Sequence, residues 1–242
     1  MSDTVLHIQN VSKRFGGFLA LSGVSLSVGR GERLGLIGPN GSGKTTLMNC
    51  ICGALRTDGG LIRFDGTDIT RLPAYRRTRL GLARSFQIPR PFASMSVAGN
   101  VAVALEYAGQ RVVTPRRDVA AETLWTLARM GLGDKAQHPA AALTQVDLRR
   151  LELARALATR PRLLILDEVM AGLTASEVDD MLRIVMTLNE SGVTVIMIEH
   201  IMRAIMRFSQ RVLCLDAGQI IAEGTPQQVV DDVNVQRVYL GG

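Results

Sequence analysis

The chain has 242 residues, 47% of them hydrophobic and 4% aromatic, and carries a formal net charge of +6. That apolar content is ample for a packed core, and one domain carrying an insertion is expected. No apolar run approaches the roughly 20 residues that a membrane span needs, and residues 1–30 lack a basic start followed by an apolar stretch, so the chain is expected to stay in the cytosol.

The opening third reads as β structure. VLHIQNV (5–11) and VSLSV (24–28) have strand character, with Val24, Leu26 and Val28 alternating, and a GRGE turn leads into RLGLIG (33–38). A helix follows from Gly43 to Leu55 with Leu47, Ile51 and Ala54 on one face, and TDGG (57–60) ends it. LIRFDGTDI (61–69) predicts a hairpin turning at Asp65-Gly66. From about 92 to 160 the pattern is helical: SVAGNVAVALEYA, then DVAAETLWTLARMGL, then a helix starting inside LTQVDLRR (143–150). This stretch reads as the insertion. Parallel-sheet character returns with RLLILDE (162–168), a helix over about 176–191, VTVIMIEH (193–200) and another helix. RVLCLDAGQIIAEG (211–224) predicts an antiparallel pair turning at Ala217-Gly218, and Thr225-Pro226-Gln227-Gln228 predicts a capped C-terminal helix.

The most specific signal is GPNGSGKTT, residues 38–46, between a buried strand and a helix. Gly38, Gly41 and Gly43 let the backbone wrap a phosphate chain, with Pro39, Asn40, Ser42 and Thr46 completing the loop, so that N–H groups and a helix N-terminus face negative charge. Lys44 is expected to reach the β- and γ-phosphates and the Thr45 hydroxyl to ligate Mg²⁺. Such a site needs a second metal carboxylate and a group that aims the nucleophile. LLILDE supplies Asp167 for the metal and Glu168 for the attacking water. VTVIMIEH brings Glu199 and His200 to the same sheet edge, which makes His200 a γ-phosphate or water contact instead of a structural histidine. Gln87 by itself is a loop residue, and Phe15 could stack on a base, although an isolated aromatic near a strand end is more often core.

Cys50, Cys52 and Cys214 are too few and too unevenly spaced for a disulfide framework and read as buried thiols, and the histidines show no metal-ligand spacing. Residues 71–90 carry Arg71, Arg76, Arg77, Arg79, Arg84 and Arg90 with no acid, while the rest of the chain balances to zero. Such a patch can meet nucleic acid, lipid head groups or an acidic partner, with a solvated face the commonest case; few aromatics disfavour nucleic acid.

GPNGSGKTT, SFQ, LLILDE and IEH in this order, with a helical insertion between the second and third, resemble the ATP-binding subunit of an ABC transporter along the whole chain. KRFGGFLAL, GTDIT, RRLELARAL and the C-terminal EGTPQQVVDDVNVQRVYLG resemble the branched-chain amino-acid uptake subunits of LivG type. The resemblance implies an α/β fold: a P-loop NTPase core with a mostly parallel sheet and an N-terminal antiparallel β subdomain (1–91 and 161–242), and an inserted helical subdomain (92–160). It implies ATP and Mg²⁺ as cofactors, Phe15 on adenine, Lys44 and Thr45 on phosphate and metal, Gln87 at the metal sensing the γ-phosphate and coupling to a permease, Asp167 on the metal, Glu168 as general base and His200 on the γ-phosphate. It also implies a second ABC ATPase subunit, two membrane permease subunits, an extracellular or periplasmic solute-binding protein acting indirectly, no nucleic acid, and a peripheral place on the cytoplasmic face of the plasma membrane. Rival readings are a low-turnover ATP-binding switch and a soluble ABC-type ATPase acting on nucleic acid.

Three positions depart from the family. L-S-G-G-Q or L-S-Y-G-Q is here Leu143-Thr144-Gln145-Val146-Asp147, the proline after the glutamate is Val169, and the following loop aspartate is Thr174. In the family the signature brings bare backbone to ATP held by the other subunit. Here Thr144 and Asp147 predict a capping box, Leu148, Leu151, Ala154 and Ala158 an apolar face, and Val146 places a β-branched side chain where phosphate would approach. Asp147 is expected to repel phosphate by roughly 3 kcal/mol per charge pair at about 5 Å and an effective dielectric of ~20. An asymmetric ATPase pair follows as an expectation.

Overall fold

The computed structural model describes residues 3–85, 89–108 and 118–240. Two sheets organise it. β1 (Thr4–Phe15) and β2 (Phe18–Gly29) run antiparallel, and β4 (Gly59–Phe64) and β5 (Thr67–Asp68) extend them in the order β2-β1-β4-β5. The second sheet joins β3 (Arg33–Ile37), β6 (Leu82–Arg84), β7 (Leu163–Asp167), β8 (Thr194–Ile198), β9 (Arg211–Asp216) and β10 (Gln219–Gly224) in the order β10-β9-β3-β8-β7-β6. All of its pairings are parallel except β9 with β10.

The second sheet is covered on both faces, and its strands show why. Along β7, Leu163 and Ile165 face the cluster shared with the antiparallel sheet and α1 (Lys44–Cys52), whereas Leu164 and Leu166 face the helical side. β8 divides in the same way, Ile196 and Ile198 against Val195 and Met197. A strand buried on both faces needs a continuous apolar run, which is what LLIL and VIMI provide. On the helical side lie α5 (Gln145–Ala158), α6 (Ala175–Glu190) and α7 (Met202–Phe208), while α3 (Val97–Ala108) and α4 (Val119–Arg129) pack against each other and against α5. α8 (Pro226–Asp231) and α9 (Val233–Leu240) close the chain against β9 and β10.

The hairpin turns fall where the sequence places them. Asp65 and Gly66, and Ala217 and Gly218, all adopt positive φ. Thr225 and Gln228 make a reciprocal capping box at α8. Thr174, where the family has aspartate, caps α6 with Glu177 in the same reciprocal way.

The segment 71–90 keeps Arg71, Arg76, Arg79 and Arg90 exposed, as a solvated basic face requires, but turns Arg77 and Arg84 inward. It holds α2 (Ala74–Arg79) and β6, neither of which the apolar pattern announces. Arg77 is 2% exposed. It donates from Nε to the Leu72 carbonyl (2.8 Å), from Nη1 to those of Cys50 (2.6 Å) and Ile51 (2.7 Å), and from Nη2 to that of Thr70 (3.0 Å). A guanidinium thereby takes up carbonyls at the end of α1, the Cys50 carbonyl being shared with the Gly53 N–H of the helix cap (3.3 Å). Arg84 is also turned inward, onto Asp167. Replacing Arg77 by Met keeps length but strands these buried acceptors, so Arg77→Met should lower stability in chemical denaturation by about 3 kcal/mol or more, and Arg77→Lys should not restore it.

Candidate functional site at the carboxyl edge of the parallel sheet

β8 pairs with β3 on one side and β7 on the other, so the segments leaving β3, β8 and β7 emerge side by side at one sheet edge. The segment after β3 is the glycine-rich loop. Its turn ends at Gly43, φ 104, which starts α1 with no side-chain cap, leaving the helix N-terminus open to an anion. Ser42 and Lys44 are buried. Lys44 Nζ donates to the carbonyl oxygens of Gly38 (2.7 Å) and Pro39 (2.8 Å) and lies 3.4 Å from Ser42 Oγ. Burial is the main cause that holds its pKa below the ordinary lysine value, with the charge of Glu168 opposing. The ammonium is thus poised in a ring of neutral carbonyls, which an anion can outbid.

A cavity of about 260 Å³ lies in front of this loop, lined by Asn40, Gly41, Ser42, Gly43, Lys44, Thr45 and Thr46, by Glu168, and by Phe15, Phe18 and Ala20. Phe15 and Phe18 face each other across the turn joining β1 and β2 and are both exposed, as an aromatic platform at a ligand site requires. Phe15 is therefore not a core aromatic. Phe18 escaped the sequence reading, although its place three residues after Phe15 in RFGGF was a usable signal.

β7 ends at Asp167, 5% exposed. Its Oδ2 accepts from Arg84 Nη2 at 2.6 Å, and Arg84 Nη1 reaches Asn49 Oδ1 on α1 at 2.5 Å. One guanidinium therefore ties β6, β7 and α1 together at the site. Glu168 follows in a left-handed conformation, φ 49, held by its N–H to the Ile198 carbonyl at 2.9 Å. A non-glycine residue in this region is strained by about 1–3 kcal/mol, and such strain gathers where a side chain must be aimed. Glu168 Oε1 lies 2.8 Å from His200 Nε2, and the His200 side chain is 42% exposed. Glu168 and His200 thus meet across adjacent strand ends. Gln87 lies outside the described residues.

Glu199 is buried and accepts the Met170 N–H at 2.9 Å. Burial, aided by the charge of Glu168 and opposed by the Met170 N–H and Arg149, pushes its pKa up to about 7 from 4.5. Oxygen donors suit Mg²⁺, which takes one or two protein oxygens and fills the rest with water and phosphate. The Thr45 hydroxyl and the Asp167 carboxylate are of that kind, and the described residues contain no cluster of three or more side chains that would make a self-sufficient metal cage.

The altered signature segment lies at the start of α5. Thr144 caps the helix, accepting the Asp147 N–H at 3.2 Å. The box is only half made: the Asp147 carboxylate takes the Thr144 hydroxyl (2.8 Å) and Lys135 Nζ (2.6 Å) instead of the Thr144 N–H. Asp147 is 4% exposed. The expectation that it projects its charge at phosphate is corrected here, because the Lys135 ammonium, from the turn Gly133–Lys135, neutralises it. Leu143, Gln145 and Val146 complete the segment, with Gln145 exposed and Val146 half-buried.

A parallel sheet with a glycine-rich loop after one strand and an acidic pair ending another defines a P-loop nucleotide-binding protein. The family model described as "ABC transporter" matches residues 21–171, and that described as "Branched-chain amino acid ATP-binding cassette transporter" matches 219–242. The chain belongs to the ABC transporter family and is its nucleotide-binding ATPase component. It is 38% identical to the "High-affinity branched-chain amino acid transport ATP-binding protein BraF" of Pseudomonas aeruginosa, over 100% of this chain and 99% of that one. It is 36% identical to the corresponding LivG protein of Escherichia coli K12 with the same coverage. Among solved structures, a nucleotide-free ATP-binding cassette from an ABC transporter superposes with a TM-score of 0.89 at 31% identity, covering 99% of this chain and 100% of that one. A cassette in its ADP conformation also gives 0.89 at 31% identity, covering 99% of each chain.

The sign of the Glu199 effect is fixed by its raised folded pKa: the neutral carboxyl is favoured by folding, and the stability it contributes is complete below about 4.5 and lost as pH rises through about 7. Wild type should therefore lose stability relative to Glu199→Gln between pH 5 and 8, by about 3 kcal/mol at most, in paired urea titrations across that range.

Proposed function

We propose that this chain is the ATP-hydrolysing subunit of an importer for branched-chain amino acids or related small solutes, working at the cytoplasmic face of the membrane against permease subunits. The observation that carries the reading is the Glu168–His200 pair, 2.8 Å apart, beside the Lys44 loop and its cavity. Full-length identity to BraF and LivG, both named for branched-chain amino-acid transport, supports the solute class. Among the described residues no helix is long and apolar enough to cross a membrane, so force on a pore passes through docking on other chains.

In this reading residues 38–46 hold the phosphates, and Phe15 with Phe18 the base. Lys44 leaves the Gly38 and Pro39 carbonyls for the β- and γ-phosphates. Thr45 and Asp167, with Gln87, would hold Mg²⁺, which supplies positive charge to the phosphate oxygens. Glu168 takes a proton from water as the water oxygen bonds to the γ-phosphorus and the bond from that phosphorus to the bridging β-phosphate oxygen breaks, releasing ADP and phosphate. His200, bonded to Glu168, orients that carboxylate and contacts the γ-phosphate. Residues 92–160 act as the helical subdomain that carries the signature segment to the partner.

The Thr144–Asp147 segment favours an asymmetric pair. Glycine at the start of α5 would leave backbone N–H groups open to a partner's ATP, whereas Val146 adds a branched side chain there and the Thr144 hydroxyl is already spent on the Asp147 N–H. The site built on this chain's own loop would then be completed by a different subunit with an intact signature, and the reciprocal site would turn over weakly. The same segment also favours the second reading, a switch that binds ATP and dimerises with little turnover.

Glu168→Gln should lower ATP turnover by about 100-fold or more while leaving nucleotide binding near wild type, read by phosphate release alongside calorimetry. Turnover by the chain alone should be slow and should rise when a second cassette with an intact signature is added. Vigorous cooperative hydrolysis by a homodimer would exclude the asymmetry, and ATP held for hours by the mixed pair with Mg²⁺ would favour the switch.

A further inference from the structure

The first glycine of the phosphate loop is gripped by a part of the chain that lies far from it in sequence. Gly38 sits at φ 148, and a Cβ on it would meet the Leu215 carbonyl oxygen at 2.1 Å, so this backbone is pressed against the end of β9. Its carbonyl oxygen accepts Lys44 Nζ at 2.7 Å. Its N–H donates to the Tyr239 hydroxyl, also at 2.7 Å. Further along the loop the β9–β10 turn takes hold through backbone alone, the Gly218 N–H donating to the Ser42 carbonyl at 2.9 Å.

Tyr239 lies near the end of α9. That helix is tied down at its other end, where Asp232 Oδ1 accepts the N–H groups of Asn234 (2.8 Å) and Val235 (3.2 Å) and Val235 is buried. Tyr239 as a whole is 42% exposed, so apolar burial is a poor account of it. What separates tyrosine from phenylalanine at this position is the hydroxyl, and the hydroxyl is spent on Gly38. A glycine has no side chain with which to fix its own backbone, so contacts from outside must do it. Because Lys44 hangs on the carbonyl of the same residue, any tilt of Gly38 displaces the ring of oxygens from which the lysine moves to phosphate.

We propose that Tyr239 is a positioning residue for nucleotide binding: through the Gly38 N–H, the C-terminal helix α9 sets the entry to the phosphate loop and thereby the affinity for ATP and ADP. The proposal rests on the reading of residues 38–46 as the phosphate loop. Tyr239 touches neither the γ-phosphate side of the site nor the Glu168–His200 pair among the bonds described, so its influence falls on binding and not on the chemical step.

The test is calorimetric titration of the purified full-length chain with ATP and with ADP in the presence of Mg²⁺, for wild type, Tyr239→Phe, Tyr239→Ala and Lys44→Ala. Loss of one net hydrogen bond predicts dissociation constants about fivefold weaker for Tyr239→Phe with both nucleotides. Steady-state turnover should show KM for ATP rising by the same factor with kcat within about twofold, and the unfolding midpoint of the nucleotide-free protein should move by no more than about 3 °C. Tyr239→Ala should bind no better than Tyr239→Phe. Wild-type affinity in Tyr239→Phe overturns the proposal, whether or not Tyr239→Ala is weakened, since the hydroxyl would then be idle. A fall in kcat equal to the loss of affinity, with a lowered midpoint, overturns it too, as general damage to the fold. Unchanged binding in Lys44→Ala would instead remove the reading of the loop itself, which distinguishes that failure from this one.

Discussion

The arrangement depends on one constraint: β3, β8 and β7 are neighbours, parallel, and buried on both faces. Parallel strands about 4.8 Å apart must deliver their carboxyl ends to the same edge, so whatever follows each strand is brought together without any side-chain contact having to arrange it. The glycine-rich loop, the Asp167–Glu168 pair and the Glu199–His200 pair are the three segments delivered. Shifting any one strand by a residue would reverse the faces of its apolar side chains, and the burial of both faces holds the register.

Within that frame the site gathers much charge into little water. Asp167 is met by Arg84, Glu168 by His200, and Glu199 holds its proton well above the ordinary carboxylate range because burial raises its pKa to about 7. Lys44 is the exception that suits an anion, since its partners are neutral carbonyls and its ammonium has more to gain from a phosphate than from the loop. The strained Glu168 backbone fits the same picture, as the Ile198 carbonyl keeps the carboxylate aimed before any ligand arrives.

The departures from the family pattern are absorbed locally. Thr174 replaces an aspartate and becomes a full helix cap, while Thr144 caps α5 and Asp147 finds Lys135. Folding therefore does not suffer at either position, and any consequence of the changes falls on what a partner molecule meets at the start of α5. In the proposed asymmetric pair Val146 at that helix start, rather than the charge of Asp147, is the residue that a partner's phosphate would meet.

The elements that sequence determined by itself are those whose cause is local. Apolar runs named β3, β7 and β8, glycine spacing named the phosphate loop, and residue pairs at fixed offsets named the turns at Asp65-Gly66 and Ala217-Gly218 and the cap at Thr225. The residues left to the tertiary structure are those whose partners lie far along the chain. Nothing in RLPAYRRTRLGLAR tells a buried arginine from a solvated one, and only the carbonyls of α1 and the carboxylate of Asp167 decide that Arg77 and Arg84 turn inward. Asp147 could be read as a free charge until Lys135 was seen beside it, and Tyr239 had no meaning until α9 met Gly38. Periodicity and spacing report which face a residue shares with its near neighbours. Long-range polar contacts are set by how separate elements close on one another, and no local pattern carries that information.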